Sequence, residues 1–321
     1  MVPEPGLVER FRADLDPLIA PGARLGVAVS GGPDSLALLL LAAAADPAQV
    51  EAATVDHGLR DEARAEAEAV AKLCEALGVP HVILTARWDG KPATAIQERA
   101  RRERYRLLGF WAEERALGAL ATGHHADDQA ETFLMRLKRG SGVRGLAAMR
   151  ARSVAPGTDV KLIRPLLGWR RAELEQVCAD AGLTPAADPS NTDENFERVR
   201  VRRALADCDW IDPGAIARSA ANLADADRAL EWATRTEWSR SVNERNGMIS
   251  ARPDGIPTEI LRRVVTRAIR HLATEGDADL RGHELDRLLA TLSKGDTATL
   301  RGVLCSGGHE WRFQAAPHRK G

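Results

Sequence analysis

The chain is 321 residues long and carries 45 lysines and arginines against 46 aspartates and glutamates, a formal net charge of −1. At roughly 100–200 residues per domain, this length predicts two domains, each able to bury its own core. A content of 44% hydrophobic and 28% charged residues excludes a disordered chain. The near-neutral total argues against a nucleic-acid partner unless the positive charge is clustered.

The opening segment, MVPEPGLVERFRADLDPL, mixes acids and bases without an apolar stretch and does not read as a signal peptide. Strand signals follow at 24–29, 50–55, 80–84 and 118–122, and helical patterns at 35–45, 61–77, 96–117 and 126–138. This alternation predicts βαβ units around a parallel sheet. Gly78 and Gly118 follow two of the helices, and Gly182 follows a further helix at 170–181, positions where a left-handed residue ends a helix. Beyond about residue 205 the pattern changes. A long helix is expected over 213–242, opened by Asp212-Pro213, with further helices at 256–274 and 280–293 and a hairpin at 297–315 that turns at Ser306-Gly307-Gly308. The longest apolar run, LALLLLAAAA at 36–45, is about half of a membrane span. The four cysteines, Cys74, Cys178, Cys208 and Cys305, form no CxxC pair, which excludes a zinc ribbon or a Cys-ligated cluster and suits a reducing cytoplasm.

The sharpest motif is Ser30-Gly31-Gly32-Pro33-Asp34-Ser35, set between an apolar strand and an apolar helix. Glycines let the turn bring its amides close to a ligand, and the helix adds unpaired N–H groups and a positive dipole end, so the turn is an anion site. It lacks the Gly-Lys-Ser/Thr of a Walker A loop and the GxGxxG of a dinucleotide fold. It is similar to the PP-loop, SGGxDS, of enzymes that cleave ATP between its α and β phosphates. That resemblance implies ATP contacts from Ser30, Gly31, Gly32, Pro33, Asp34 and Ser35, with Asp34 holding Mg²⁺. A second cluster, His124-His125-Ala126-Asp127-Asp128-Gln129-Ala130-Glu131-Thr132, follows the strand ending at Thr122. Asp128 and Glu131 share a helix face, which suits Mg²⁺ or an ammonium group. A third, Val55-Asp56-His57-Gly58-Leu59-Arg60, follows the second strand, and either Asp56 or Asp61 could merely cap the next helix.

Together with QERARRERY at 97–105, RGSGVRGLAAM at 139–149, IRPLL at 163–167 and DPSNTDENFERVRVRR at 188–203, these blocks resemble the tRNA(Ile)-lysidine synthetases over roughly residues 25–205. One departure is Val199, where that family usually places Asn. The resemblance implies an adenine nucleotide alpha hydrolase-like, Rossmann-like parallel sheet in a catalytic domain over 1–207. A second, mainly helical tRNA-recognition domain would occupy 208–321. It implies a cytoplasmic carbon–nitrogen ligase that uses ATP and Mg²⁺ to join L-lysine to C2 of the wobble cytidine of a CAU-anticodon tRNA(Ile). A homodimer is compatible with it and a membrane is not expected. Asp34, Asp128 and Glu131 are the expected catalytic residues, Asp128 and Glu131 also binding lysine, with Asp127 and His125 supporting them and His57 joining the ATP contacts. Arg101, Arg104, Arg139, Arg144, Arg198, Arg200 and Arg202 are expected on the RNA. Tyr105, Phe110, Phe133, Trp88 and Trp169 are the candidate stacking platforms, while Trp232 and Trp238 read as packing residues. The rival readings are a tRNA thiolase, which needs a cysteine pair, an amidating synthetase, and a non-enzymatic nucleotide- or RNA-binding module.

Overall fold

Chain contacts in the computed structural model divide the protein into two units, Met1–Ala221 and Asn222–Gly321. The described residues are 2–58, 62–88, 96–186, 195–273, 280 and 282–317. Leu59, Arg60 and Asp61, and residues 188–194 of the last motif block, lie outside them.

The first unit is built on a six-stranded sheet of β1 (Leu25–Ala28), β2 (Val50–Asp56), β3 (His81–Thr85), β4 (Ala119–Ala121), β5 (Arg152–Val154) and β6 (Lys161–Ile163) in the order β3-β2-β1-β4-β6-β5. All pairings are parallel except β5 with β6. The helices are α1 (Pro5–Leu15), α2 (Pro33–Ala45), α3 (Glu62–Leu77), α4 (Ile96–Glu114), α5 (Ala126–Leu137), α6 (Val143–Leu146), α7 (Arg171–Asp180) and α8 (Glu197–Ala206), and α9 (Pro213–Ser241) begins in this unit. Helix α2 is apolar around its circumference over its middle because none of that stretch faces water: every residue from Ser35 to Ala43 is buried. It packs against α1 and α7 over the sheet. Helix α1 had no counterpart in the sequence reading, yet Phe11 on it is fully buried in the same core.

The chain winds from β1 through β2 to β3 on one side, then crosses to β4 on the other. Strand order therefore reverses between β1 and β4, and ligand crevices open at the carboxyl ends of strands at such a reversal. Gly78 (φ +69°) and Gly182 (φ +71°) take the left-handed conformation expected at helix ends. Gly118 does not. After α4 it is Ala116 that turns left-handed (φ +50°), and Gly118 is small for another reason: a Cβ there would lie 2.6 Å from the Ala23 Cβ.

The second unit holds α10 (Thr258–Leu272), α11 (Gly282–Ser293) and a five-stranded antiparallel sheet in the order β7-β8-β11-β10-β9. Its strands are β7 (Val242–Arg245), β8 (Met248–Ala251), β9 (Thr297–Leu300), β10 (Val303–Ser306) and β11 (Trp311–Ala315). The expected turn at 306–308 joins β10 to β11. Two tighter hairpins were not anticipated, at Asn246-Gly247 and Arg301-Gly302, where both central residues have positive φ as a type I′ turn demands. Alternate strand residues Val303, Cys305, Trp311 and Phe313 pack on Val265, Ala268 and Ile269 of α10 and on Leu285, Leu288 and Leu292 of α11. Trp238 joins this core, but Trp232 is 64% exposed and is not a packing residue: side chains six residues apart on a helix lie about 120° apart and do not share a face.

Candidate active site

The loop after β1 closes on its own serine. Ser35 Oγ accepts from the Ser30 amide at 3.0 Å, donates to Gly32 O at 3.0 Å and lies 3.2 Å from Ser30 Oγ. Gly31 takes φ +83°, a conformation open to glycine at no steric cost, and Pro33 begins α2. The result is a tight turn that sets the start of α2 at the end of β1.

The loop after β4 packs directly on it. A Cβ at Gly123 would lie 2.7 Å from Asp34 O, so this glycine is what lets the two strand ends meet. His125 begins α5, is 2% exposed, and sits among carboxylates: Nε2 is 3.5 Å from both Asp34 Oδ2 and Asp128 Oδ2, and Nδ1 is 3.5 Å from Asp127 Oδ2. Burial alone lowers its pKa, but the contacts with Asp127 and Asp34 and the charge of Asp128 outweigh it and raise the imidazole to about 10. His125 is thus a buried cation. His124 is the opposite case. Burial, with Arg164, Arg198 and Arg101 nearby, outweighs the pull of Asp128 and holds it down to about 3, neutral, with Nδ1 2.9 Å from Thr122 Oγ1.

Helix α8 crosses α5 and supplies counter-charges. Arg198 Nε donates to Glu131 Oε2 at 2.6 Å and its Nη2 to Asp128 Oδ1 at 2.9 Å, while Arg202 Nε donates to Glu131 Oε1 at 2.6 Å. Glu131 is 2% exposed and is held by both arginines. Burial raises the Asp128 carboxyl, but the charges of His125 and Arg198 prevail and keep it below the ordinary range. Asp127 faces away, accepting from the Arg171 amide at 2.8 Å and from Arg170.

These elements enclose a cleft of about 630 Å³. Its walls include Ser30, Gly32, Asp34 and Ser35 of the loop, Thr54 and His57 at the end of β2, Arg101, Arg104 and Tyr105 of α4, and Thr122, Gly123, His124, Asp128, Arg198 and Arg202. Gly31, Pro33 and Glu131 lie behind the wall rather than in it. Arg104 Nε donates to His57 Nε2 at 3.5 Å. Of the seven arginines expected on RNA, Arg101, Arg104, Arg198 and Arg202 line the cleft and Arg139, Arg144 and Arg200 do not. Arg139 pairs with Glu197, Arg200 donates to Asn195 O at 3.1 Å, and Arg144 is exposed on α6. The aromatic candidates divide as well. Tyr105 and Trp169 are buried, and Phe110 is 65% exposed. Gln129 was quoted in a motif but given no role; its side chain pairs with both backbone groups of Met149, at 2.9 and 2.8 Å, and pins the segment after α6 to α5.

Asp34 Oδ1 is buried without a hydrogen-bond partner beside the anion-binding turn, so an acceptor is available there for a cation. Among the described residues no group of three or more His, Cys, Asp or Glu side chains forms a metal cage. A lone carboxylate oxygen next to a polyphosphate site fits Mg²⁺, which takes one or two carboxylates plus phosphate oxygens.

A family model described as a PP-loop domain matches residues 7–208. A tRNA(Ile)-lysidine synthase of Novosphingobium aromaticivorans is 48% identical over 317 residues, covering 98% of this chain and 95% of that protein. One from Zymomonas mobilis is 46% identical over 299 residues, covering 92% and 90%. Among solved structures, the U34-tRNA thiolase NcsA of Methanococcus maripaludis aligns at a TM-score of 0.57 and 20% identity, over 70% of this chain and 78% of that one. At that identity the likeness is one of fold.

Proposed function

The chain belongs to the tRNA(Ile)-lysidine synthase family of PP-loop enzymes, and from that membership we propose that it ligates L-lysine to C2 of the wobble cytidine of a CAU-anticodon isoleucine tRNA. The single observation that carries the reading at the level of residues is the shared cleft, in which the Ser30–Ser35 turn faces Asp128, Arg198 and Arg202.

The reaction runs in two steps. Cytosine O2 attacks the α phosphorus of ATP, a P–O bond forms and pyrophosphate leaves. The lysine ε-ammonium gives up a proton to solvent, the amine then attacks C2 and loses a second proton, the C2–O bond breaks and AMP leaves. The turn amides and the start of α2 hold the departing pyrophosphate. Arg198 and Arg202, already oriented by Glu131, face the charge that develops on the phosphates, and such preorganised charge is what phosphoryl transfer needs. Mg²⁺ held by Asp34 would neutralise phosphate charge in the same place. Asp128, kept ionised by His125 and Arg198, suits binding and orienting the lysine ammonium better than deprotonating it, because a carboxylate held at low pKa is a weak base. Glu131 supports it indirectly, as the anchor of both arginines. No helix among the described residues is long and apolar enough to cross a membrane, and we place the enzyme in the cytoplasm on free tRNA. Thiolase chemistry is disfavoured, since none of the four cysteines lines the cleft.

Asp128→Asn tests the lysine site. It removes a charge-assisted hydrogen bond and should raise the KM for lysine about 10–100-fold while tRNA-dependent pyrophosphate release from ATP persists. Unchanged lysine dependence would remove Asp128 from that role.

A further inference from the structure

Behind the phosphate turn a row of charges leads away from the cleft. Asp34 Oδ2 is 3.5 Å from His125 Nε2, His125 Nδ1 is 3.5 Å from Asp127 Oδ2, and Asp127 Oδ1 is 3.2 Å from Arg170 Nη2. The same guanidinium reaches Asp212 Oδ1 through Nη1 at 2.9 Å, and Asp212 caps α9 by accepting from the amides of Gly214 and Ala215. Asp127, Arg170 and Asp212 are not among the residues that line the cleft.

We propose that Arg170 is a positioning residue for the phosphate turn. By spanning Asp127 and Asp212 it fixes Asp127, whose carboxylate 3.5 Å from Nδ1 orients the His125 ring by charge, and the ring in turn faces Asp34 Oδ2 at 3.5 Å. The backbone around Arg170 is rigid enough for the task. Its amide donates to Glu173 Oε2 at 2.7 Å, the preceding Trp169 is fully buried, and Trp169 O accepts from the Ala126 amide at 2.8 Å at the very start of α5. A planar fork with five donors spans two carboxylates in a fixed geometry, whereas an ammonium is a compact point charge on a flexible stem. Without it Asp127 keeps only the Arg171 amide, the His125 ring loses its fixed partner, and Asp34 becomes free to turn.

The inference rests on ATP binding at this turn, and the test separates the two. Wild type, Arg170→Gln, Arg170→Lys, Asp34→Asn and the Arg170→Gln/Asp34→Asn double variant are titrated with ATP and Mg²⁺ by calorimetry, alongside thermal melts and the KM for lysine. Arg170→Gln should weaken ATP affinity about tenfold, the range for partners that orient a ligand-holding group, with the lysine KM unchanged. In the Asp34→Asn background the same change should add less than about twofold, because residues acting through one another are not additive. Arg170→Lys should fall between, and it replaces Arg170→Gln in the cycle should that variant lack a cooperative melt. Wild-type ATP affinity in Arg170→Gln, or an equal loss in both backgrounds, overturns the positioning role. A wild type that binds no ATP overturns the functional reading beneath it.

Discussion

Gly123 carries the tightest constraint in the cleft. A Cβ there would meet Asp34 O at 2.7 Å, Asp34 C at 2.8 Å and Ser35 N at 3.0 Å, all backbone atoms that cannot step aside. Gly123→Ala must push the end of β4 away from the first turn of α2. The expected cost is about 1–3 kcal/mol of stability together with weaker ATP binding, read by denaturant melts and titration; wild-type values for both would contradict the close approach. His57 gives a pH signature. Burial, then the Arg104 charge, push it from 6.5 down to about 4, so the folded imidazole stays neutral where the unfolded one takes up a proton. The unfolded state therefore binds more protons between pH 6.5 and pH 4, and the fold loses stability as pH falls through that window. His57→Gln should lose less than wild type over the same range in melts; parallel losses would refute the assignment. Motif chemistry at this scale was legible, since SGGPDS and HHADDQAET sit at strand ends where an open α/β sheet binds ligands. The charge on His125 was not. It depends on Asp34, far earlier in the chain and brought close only because β1 and β4 are neighbours in the sheet.

Among the elements, α8 explains why a run of arginines is not a uniform surface. Residues four apart share a helix face, so Arg198 and Arg202 turn together toward Glu131 while Arg200 points elsewhere. Read as a string, the run suggested one RNA-facing cluster; read as a helix, half of it is internal. Val199, the departure from the family pattern, is buried between them. Glu131→Ala would leave Arg202 without its bonded carboxylate and Arg198 with Asp128 alone. We expect about 3 kcal/mol of lost stability, at the lower end for a broken buried pair because both arginines keep some solvent. Chemical denaturation checks this, and a change below about 0.5 kcal/mol, typical of a surface substitution, would contradict the anchoring role. Strands β1 to β4 and helices α2, α3, α4, α5 and α7 followed from hydrophobic periodicity, because parallel strands buried on both faces read as short apolar runs, while α1, α6 and α8 were not expected. The helix expected over 213–242 matches α9 to within one residue, and strand β7 just after it was not expected, although Asn246-Gly247 is a strong hairpin signal. The long regular pattern ahead of it masked the change of period. Strands β5 and β6 are three residues each, too short to show any period.

For the molecule as a whole, net charge was a poor guide. A balance of −1 hides a cleft walled by Arg101, Arg104, Arg198 and Arg202. On α10 the arginines have partners within the unit: Arg262 pairs with Asp286, the buried Arg263 with Asp227 at 2.6 Å, and the exposed Arg267 lies 4.9 Å over the Trp238 ring. The clustering of cations was visible in the sequence, but which clusters face a ligand depends on tertiary pairing that no local pattern encodes. The central claim is that one cleft brings ATP, a tRNA cytidine and lysine together. The most direct measurement is transfer of labelled lysine into CAU-anticodon tRNA(Ile) by the full chain with ATP and Mg²⁺. The account predicts one label per tRNA at the wobble position, with AMP and pyrophosphate released in equal amounts. Pyrophosphate release without label in the tRNA would contradict it.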